Sequence, residues 1–307
     1  MPTPTSRQVH IDTAMTNISI GYSNAAYIAD QVFPIVPVNK ISNKFFVFPK
    51  DSWFRDETAV RAPGGRAKLA EYTLSTDNYV AVEKALAKLV TDEEVDNADA
   101  PLQPFVQATE FVTDQILKSR EKDVLDLVFG TGWASSATPS PLWSDDTSDP
   151  LTNIETGMNT VALAIGREPN VGVIGRGLWR YLKNHPDIID RLKYGQTPGQ
   201  AAQVSLTGAA QLFGLQKLLL ASSVIDSGAE GAAASHAFVG GNHLWLGYVP
   251  ASAAISTPAA GYIYAYKTAE VNRFRDDPAH TSIIEARMSW DTKITASDAG
   301  YLIKSAA

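Results

Sequence analysis

The chain has 307 residues, 45% of them hydrophobic and 19% charged, which is enough apolar mass to fill a core and too little charge for wholesale disorder. Twenty-six basic against 33 acidic side chains leave a net charge of −7, the wrong sign for a protein that lives by gripping phosphates. The lack of any cysteine excludes a disulfide framework, a Cys-based zinc site, an iron–sulfur cluster and a cysteine nucleophile. No stretch approaches the roughly 18 to 20 consecutive apolar residues of a membrane span. The start, MPTPTSRQVHIDT, lacks the basic-then-apolar order of a signal peptide. The expectation is a soluble protein without membrane contact.

Charge is unevenly placed. Residues 1–50 carry four basic and two acidic groups, whereas 51–150 carry nine basic and 19 acidic ones, a slightly basic arm before an acidic body. The first 40 residues show weak periodicity. Then Phe33-Pro34-Ile35-Val36-Pro37-Val38 places two prolines in an apolar run, which predicts an extended strap that must lie on a surface. Residues 44–90 read as two long strands around a tip: Phe45-Phe46-Val47-Phe48 on one side, and Tyr72, Leu74, Tyr79, Val80 and Val82 on the other. Between them RAPGGRAK (61–68) combines turn formers with Arg61, Arg66 and Lys68. A hairpin this long needs something to lean on.

Thr91-Asp92-Glu93-Glu94 is a capping-box pattern opening a short helix. Pro104 suits the first turn of a longer helix running to about Phe129, with Phe105, Ala108, Val112, Ile116, Val124, Leu127 and Val128 on its apolar side. Roughly 25 residues make a rod of nearly 40 Å. Residues 131–153 are rich in Ser, Thr, Pro and Asp and predict a loop. Beyond it, helices are expected at 153–165, 178–184, 187–192 and 200–213. Strands are expected at 171–174, 216–220, 237–239, 244–248, 262–266, 283–287, 293–295 and 301–303. This alternation indicates an α/β or α+β unit.

Chemistry is sparse. Gly175-Arg176-Gly177 lacks the third glycine of a dinucleotide fingerprint and reads as a strand-to-helix turn. The five histidines, His10, His185, His236, His243 and His280, include no pair at metal-ligand spacing with an acidic partner. Asp145-Asp146 and Asp276-Asp277 suit solvated loops better than a hard cation. The tryptophans, among them Trp133, Trp143, Trp179, Trp245 and Trp290, are scattered rather than striped, which gives no stacking surface for single-stranded nucleic acid. No catalytic, metal or cofactor site is predicted, and the chain is not expected to be an enzyme.

Arm, hairpin, long helix and two-part body, in that order, resemble the major capsid proteins of tailed double-stranded DNA phages, with the Hong Kong 97-like fold. The wording is similar too. ADQVFPIVPVNKISNKFFVFPKDSWFRDETAVRAPGG (29–65) resembles the arm-to-hairpin passage of one branch of that family. DNADAPL (96–102) and ATEFVTDQILKSREKDVLDLVFGTGW (108–133) resemble its short helix and spine helix. LWRYLKNHPDIIDRLKY (178–194) and LTGAAQLFGLQKLLL (206–220) resemble its axial domain.

The resemblance implies an α+β capsid fold with an N-terminal arm at 1–42 and an extended β-hairpin loop at 43–90. The peripheral domain with the spine helix would comprise 91–153 and 283–307, and the axial domain 154–282. It implies self-assembly, through hexamers and pentamers, into an icosahedral shell around packaged double-stranded DNA, which is contacted non-specifically. Flexible arms would absorb the differences between quasi-equivalent environments, and maturation would be a population shift among packings. The location is the virion, assembled in the host cytoplasm. The implied partners are further copies of the chain, a portal protein, a separate scaffolding protein (because the capsid-like arm begins almost at Met1) and, optionally, a decoration protein. Inter-subunit contacts are expected at the loop tip, Arg61, Gly64, Gly65, Arg66 and Lys68, unless its charges merely solubilise an exposed turn. Phe33, Ile35 and Val36 are expected to anchor the arm, in cis or on a neighbour. Trp133 and Trp143 flank a loop that either packs locally or carries a decoration protein. Some relatives join a hairpin Lys to an Asn through an isopeptide bond. Lys50 and Lys68 are the candidate donors here, but the last Asn is Asn272, and no such cross-link is expected. An encapsulin-type nanocompartment shell and an α/β enzyme with an unrecognised site stay open as alternatives.

Overall fold

The structure, a computed structural model, describes residues 15–16, 19, 27–47, 54–71, 75–99, 102–193, 204–226, 228, 235–253 and 257–307. A single helical turn, α1 (Ala29–Val32), leads into the strap β1 (Ile35–Val38). β2 (Ser42–Val47) and β3 (Ser75–Val80) pair antiparallel, from Ser42 opposite Val80 to Val47 opposite Ser75. β4 (Val82–Thr91) follows at once. It ends in the expected capping box: the Thr91 hydroxyl accepts the Glu94 N–H, and the Glu94 carboxylate accepts the Thr91 N–H, opening α2 (Asp92–Asp96). The long helix α3 (Pro104–Val128) starts at the predicted proline.

The remaining elements are β5 (Ser135–Ala137), α4 (Pro150–Ile165), β6 (Val171–Gly175), α5 (Arg176–Leu182), α6 (Pro186–Lys193) and α7 (Leu206–Leu212). Then come β7 (Lys217–Ala221), β8 (Val224–Asp226), β9 (His236–Phe238), β10 (Leu244–Gly247), β11 (Gly261–Asp276), β12 (Thr281–Ile294) and β13 (Gly300–Ile303).

Two sheets organise the molecule, one in the order β1-β11-β12-β4 and the other β5-β13-β10-β6-β7. Helix α3 packs on β12 and β4 of the first, while α4, α5 and α7 pack on the second. The middle strands of the second sheet, VGVIG, LWLG and GYLI, are buried along their whole length, which is why they read as continuous apolar runs rather than as alternation. One buried cluster runs from Val112, Val124 and Val128 of α3 through Trp133 and Trp245 to Ile174, Leu178 and Leu302, so the two sheets share a core.

Three expectations change. The sequence predicts two long strands for the hairpin, but among the described residues pairing is confined to β2 and β3, and 54–71 contain no strand. Phe48, Tyr72 and Leu74 lie outside the described residues, as do Lys50 and residues 200–203. The chain leaves the hairpin after Ala81, whose N–H makes the last bond to it, at the Ile41 carbonyl, while the Asp291 carboxylate already takes the Val80 N–H at 2.8 Å. From Val82 onward the strand pairs with β12 instead.

Second, the strands expected at 262–266, 283–287 and 293–295 are parts of one long hairpin, β11 with β12. A bulge between Tyr266 and Glu270, with Lys267 at φ 64°, hides this continuity from pattern reading. Third, residues 301–303, which the resemblance groups with the peripheral domain, enter the second sheet as β13, antiparallel to β10 and parallel to β5, the place for a strand apolar on both faces.

Candidate assembly surfaces

At the loop tip, Ala62-Pro63-Gly64-Gly65 closes a turn in which Gly65 N–H donates to the Ala62 carbonyl at 2.9 Å. Gly64 has φ 81°, a left-handed value that fits the third position of a type II turn after proline. Residues 58–71 are exposed throughout, and Val60 and Leu69 are as open as in an extended chain, at 104% and 92%. Lys68 is not a free cation: its Nζ lies 2.6 Å from Glu57, which Arg55 also approaches at 3.2 Å. Lys68 thereby holds the Glu57 carboxyl below its ordinary range. Arg61 and Arg66 have no ion-pair partner among the described residues.

The root of the hairpin is aromatic. Tyr264 of β11 stacks on Phe45 at 5.3 Å and on Tyr79 at 4.6 Å, one ring from each hairpin strand. With Tyr262 and Ala259 these rings form a satellite core separate from the main one. Burial between neighbouring rings pushes the Tyr264 hydroxyl well above its ordinary range. A cleft of about 230 Å³ beside the stack is lined by Val36, Phe46 and Ala253 among others.

The structure separates the three strap residues. Phe33 is fully buried, edge-on to Trp245 with ring centroids 6.2 Å apart. Ile35 is 42% exposed, and Val36 is half-buried on the cleft. β1 runs parallel to β11, Ile35 opposite Ile263. The arm therefore has a cis seat on its own chain. Further back, the Tyr27 hydroxyl meets Asp114 at 3.0 Å, Ser19 meets Thr113 at 2.9 Å and Asp30 pairs with Arg120 at 2.8 Å, all on helix α3.

Glu121 is the residue that sequence reading missed. It sits in the apolar stripe of α3, between the buried Ile116 and Leu125, and is 1% exposed. Its Oε2 accepts the N–H groups of Ile28 and Ala29 at 2.9 and 2.7 Å, and its Oε1 accepts the Ser223 hydroxyl at 3.0 Å. Burial raises its pKa despite these donors. The signal was available, because a carboxylate within the apolar stripe of an amphipathic helix requires an internal partner.

A second charged surface lies where α2 meets the β11–β12 turn. Asp92, Glu93, Glu94 and Asp96 follow one another, and Asp92 accepts a two-pronged Arg275 at 2.5 and 2.6 Å. Arg275 also reaches Asp277 at 3.1 Å and holds the Asp92 carboxyl below its usual range.

The residues weighed for chemistry are used locally. Gly175-Arg176-Gly177 is the β6-to-α5 turn, pressed against Gly240–Asn242, and a Cβ on Gly175 would come within 2.2 Å of the Gly241 carbonyl oxygen. Asp145 accepts the Thr147 N–H and hydroxyl. His243 accepts the Ser305 N–H. Trp133 and Trp143 are buried, with Trp133 Nε1–H donating to the Val128 carbonyl.

No protein-family model matches the chain. The major capsid protein of Burkholderia phage BcepMu is 27% identical over 305 residues, spanning 95% of each chain. A phage-related protein from Bordetella bronchiseptica, known from its crystal structure, superposes with a TM-score of 0.76 at 22% identity, covering 97% of this chain and 98% of that one. The chain is thus similar to phage major capsid proteins over as much as 95% of its length. Its fold is the Hong Kong 97-like capsid fold. The capsid of cyanophage P-SCSP1u shares it at a TM-score of 0.59 and 9% identity, over 92% of this chain and 89% of its own.

Proposed function

We infer that this capsid protein builds the icosahedral head of a tailed phage by self-assembly and acts in the virion as a structural, non-enzymatic subunit. The observation that carries this is the end-to-end likeness to a phage major capsid protein, joined to a surface on which exposed apolar side chains project from a loop that cannot be stable alone.

The finer assignment is ours. The helix α3 with the β1-β11-β12-β4 sheet forms the peripheral part, and the β5-β13-β10-β6-β7 sheet forms the axial part that gathers into hexamers and pentamers. Residues 43–80 form the extended loop, and residues up to Val38 the arm. Arg61 and Arg66 seat the loop tip on a neighbouring subunit, and the acidic surface around Asp92–Asp96 is the complementary face. The support is charge: two cations without an ion-pair partner among the described residues, and a run of carboxylates of which, among those residues, only Asp92 is paired with an arginine. Portal and scaffolding proteins and the packaged DNA are the further partners this role entails, with a decoration protein as an optional one.

The test is a double variant, Arg61→Glu with Arg66→Glu. It leaves the subunit folded, with unchanged thermal unfolding, and blocks assembly in a particle assay. Particles formed at the wild-type yield overturn the assignment of these residues, and loss of folding overturns their placement on a free loop.

A further inference from the structure

The contact between arm, long helix and axial part passes through one ionisable group. Glu121 is on α3, Ile28 and Ala29 open α1 of the arm, and Ser223 lies between β7 and β8 of the second sheet. These segments are about a hundred positions apart in sequence, and the one side chain that all of them share is 1% exposed. No cation among the described residues touches it. The charged groups facing the same groove are Asp30 from α1, Arg120 from α3 and Lys267 from β11. Arg120 is engaged by Asp30 at 2.8 Å, and Lys267 stands 4.0 Å from Glu270. β12 contributes only Met288, Ser289 and Trp290 to this groove. A carboxylate held by three neutral donors, without a positive partner, loses its hydration and gains only hydrogen bonds in return.

We propose that Glu121 is a proton-coupled latch for the arm: seating α1 on the long helix takes up a proton at this carboxyl, and losing that proton loosens the arm. The balance is simple. When Glu121 is protonated, Oε2 still accepts the Ile28 and Ala29 N–H groups, while the Oε1 hydroxyl donates to Ser223 Oγ, whose own proton turns away. No hydrogen bond to the arm is lost on protonation, and the desolvated charge disappears.

The sign follows from the raised pKa of the seated state. Seating is strongest below the ordinary glutamate value of 4.5 and weakens as pH rises through the seated value, by up to about tenfold per pH unit between the two. Above the seated value the dependence levels off. The inference concerns a single subunit and does not rest on shell formation, so its failure is distinguishable from failure of the capsid reading.

The experiment is amide hydrogen exchange of Ile28 and Ala29 in the unassembled full chain from pH 4 to 9, each rate divided by its intrinsic value. Wild-type protection is expected to fall as pH rises and then level off. Glu121→Gln keeps both N–H acceptors and offers its NH₂ to Ser223, and is expected to stay protected at every pH. Parallel profiles for wild type and Glu121→Gln overturn the proposal. If the variant does not fold, titration of the wild-type Glu121 carboxyl carbon by NMR decides: a midpoint above 4.5 supports the latch, and one at or below it overturns it.

Discussion

Replacing Phe33 by alanine empties a fully buried site without disturbing the backbone around it. The ring is edge-on to Trp245, 6.2 Å between centroids and 81° between planes. It lies so close to β11 that a Cβ on Gly261 would come within 2.8 Å of it. Phe33 N–H donates to the Ala29 carbonyl, a bond that alanine keeps. Removing the ring forfeits about 1.5–3 kcal/mol of transfer free energy. The unfilled cavity brings the expected loss to about 3–5 kcal/mol. A domain of ordinary stability has about 5–15 kcal/mol in total, so the variant is folded but weakened, and Phe33→Leu should lose less. Ile35→Ala, at a position already 42% exposed, should lose less than about 1 kcal/mol. The assay is urea unfolding of the unassembled subunit, read as a lower midpoint at unchanged slope. A loss below about 1 kcal/mol for Phe33→Ala, or a larger loss for Ile35→Ala than for Phe33→Ala, refutes the cis seat and places the anchor on a neighbour.

Thr91→Ala removes one half of the capping box and should reduce thermal stability by about 1 kcal/mol, with Thr91→Ser restoring most of it. Gly175→Ala drives a Cβ to within 2.2 Å of one backbone carbonyl oxygen and 2.3 Å of another. Neither can swing away, so the loss in denaturant unfolding should reach about 1–3 kcal/mol or more. Arg275 holds the Asp92 carboxyl low, so the stability this pair adds is present above the ordinary carboxylate range and fades as pH falls through the depressed value. Asp92→Asn should therefore flatten the acid side of the stability profile and leave the alkaline side unchanged.

What could be read beforehand was local. Pro104, the apolar spacing through Val128 and the glycines after it define α3 within the sequence itself. Thr91 and Glu94 define the turn that opens α2. The prolines of the strap force extension wherever the strap lies. What escaped depends on distant partners. Pattern reading broke the β11–β12 hairpin into pieces because the bulge at Lys267 shifts the alternation midway. Nothing local says that Gly300–Ile303 pairs with Leu244–Gly247 rather than beside the long helix, since an apolar run suits either place. Nor does the hairpin sequence announce that the chain changes partners between β3 and β4, where the Val80 N–H is taken by Asp291 more than two hundred residues away. The loop tip was visible as a turn with charges, but the ion pair that ties Lys68 to Glu57 and leaves Arg61 and Arg66 apart depends on how the chain folds back.

The central claim is that the chain is the repeating unit of a closed shell. It is tested most directly by sedimentation of the recombinant protein, alone and co-expressed with a scaffolding protein, with electron microscopy of the fast fraction. The account predicts closed icosahedral particles, or rings of five and six subunits on the way to them. A discrete monomer or small oligomer that stays so in the presence of the scaffolding protein would contradict it.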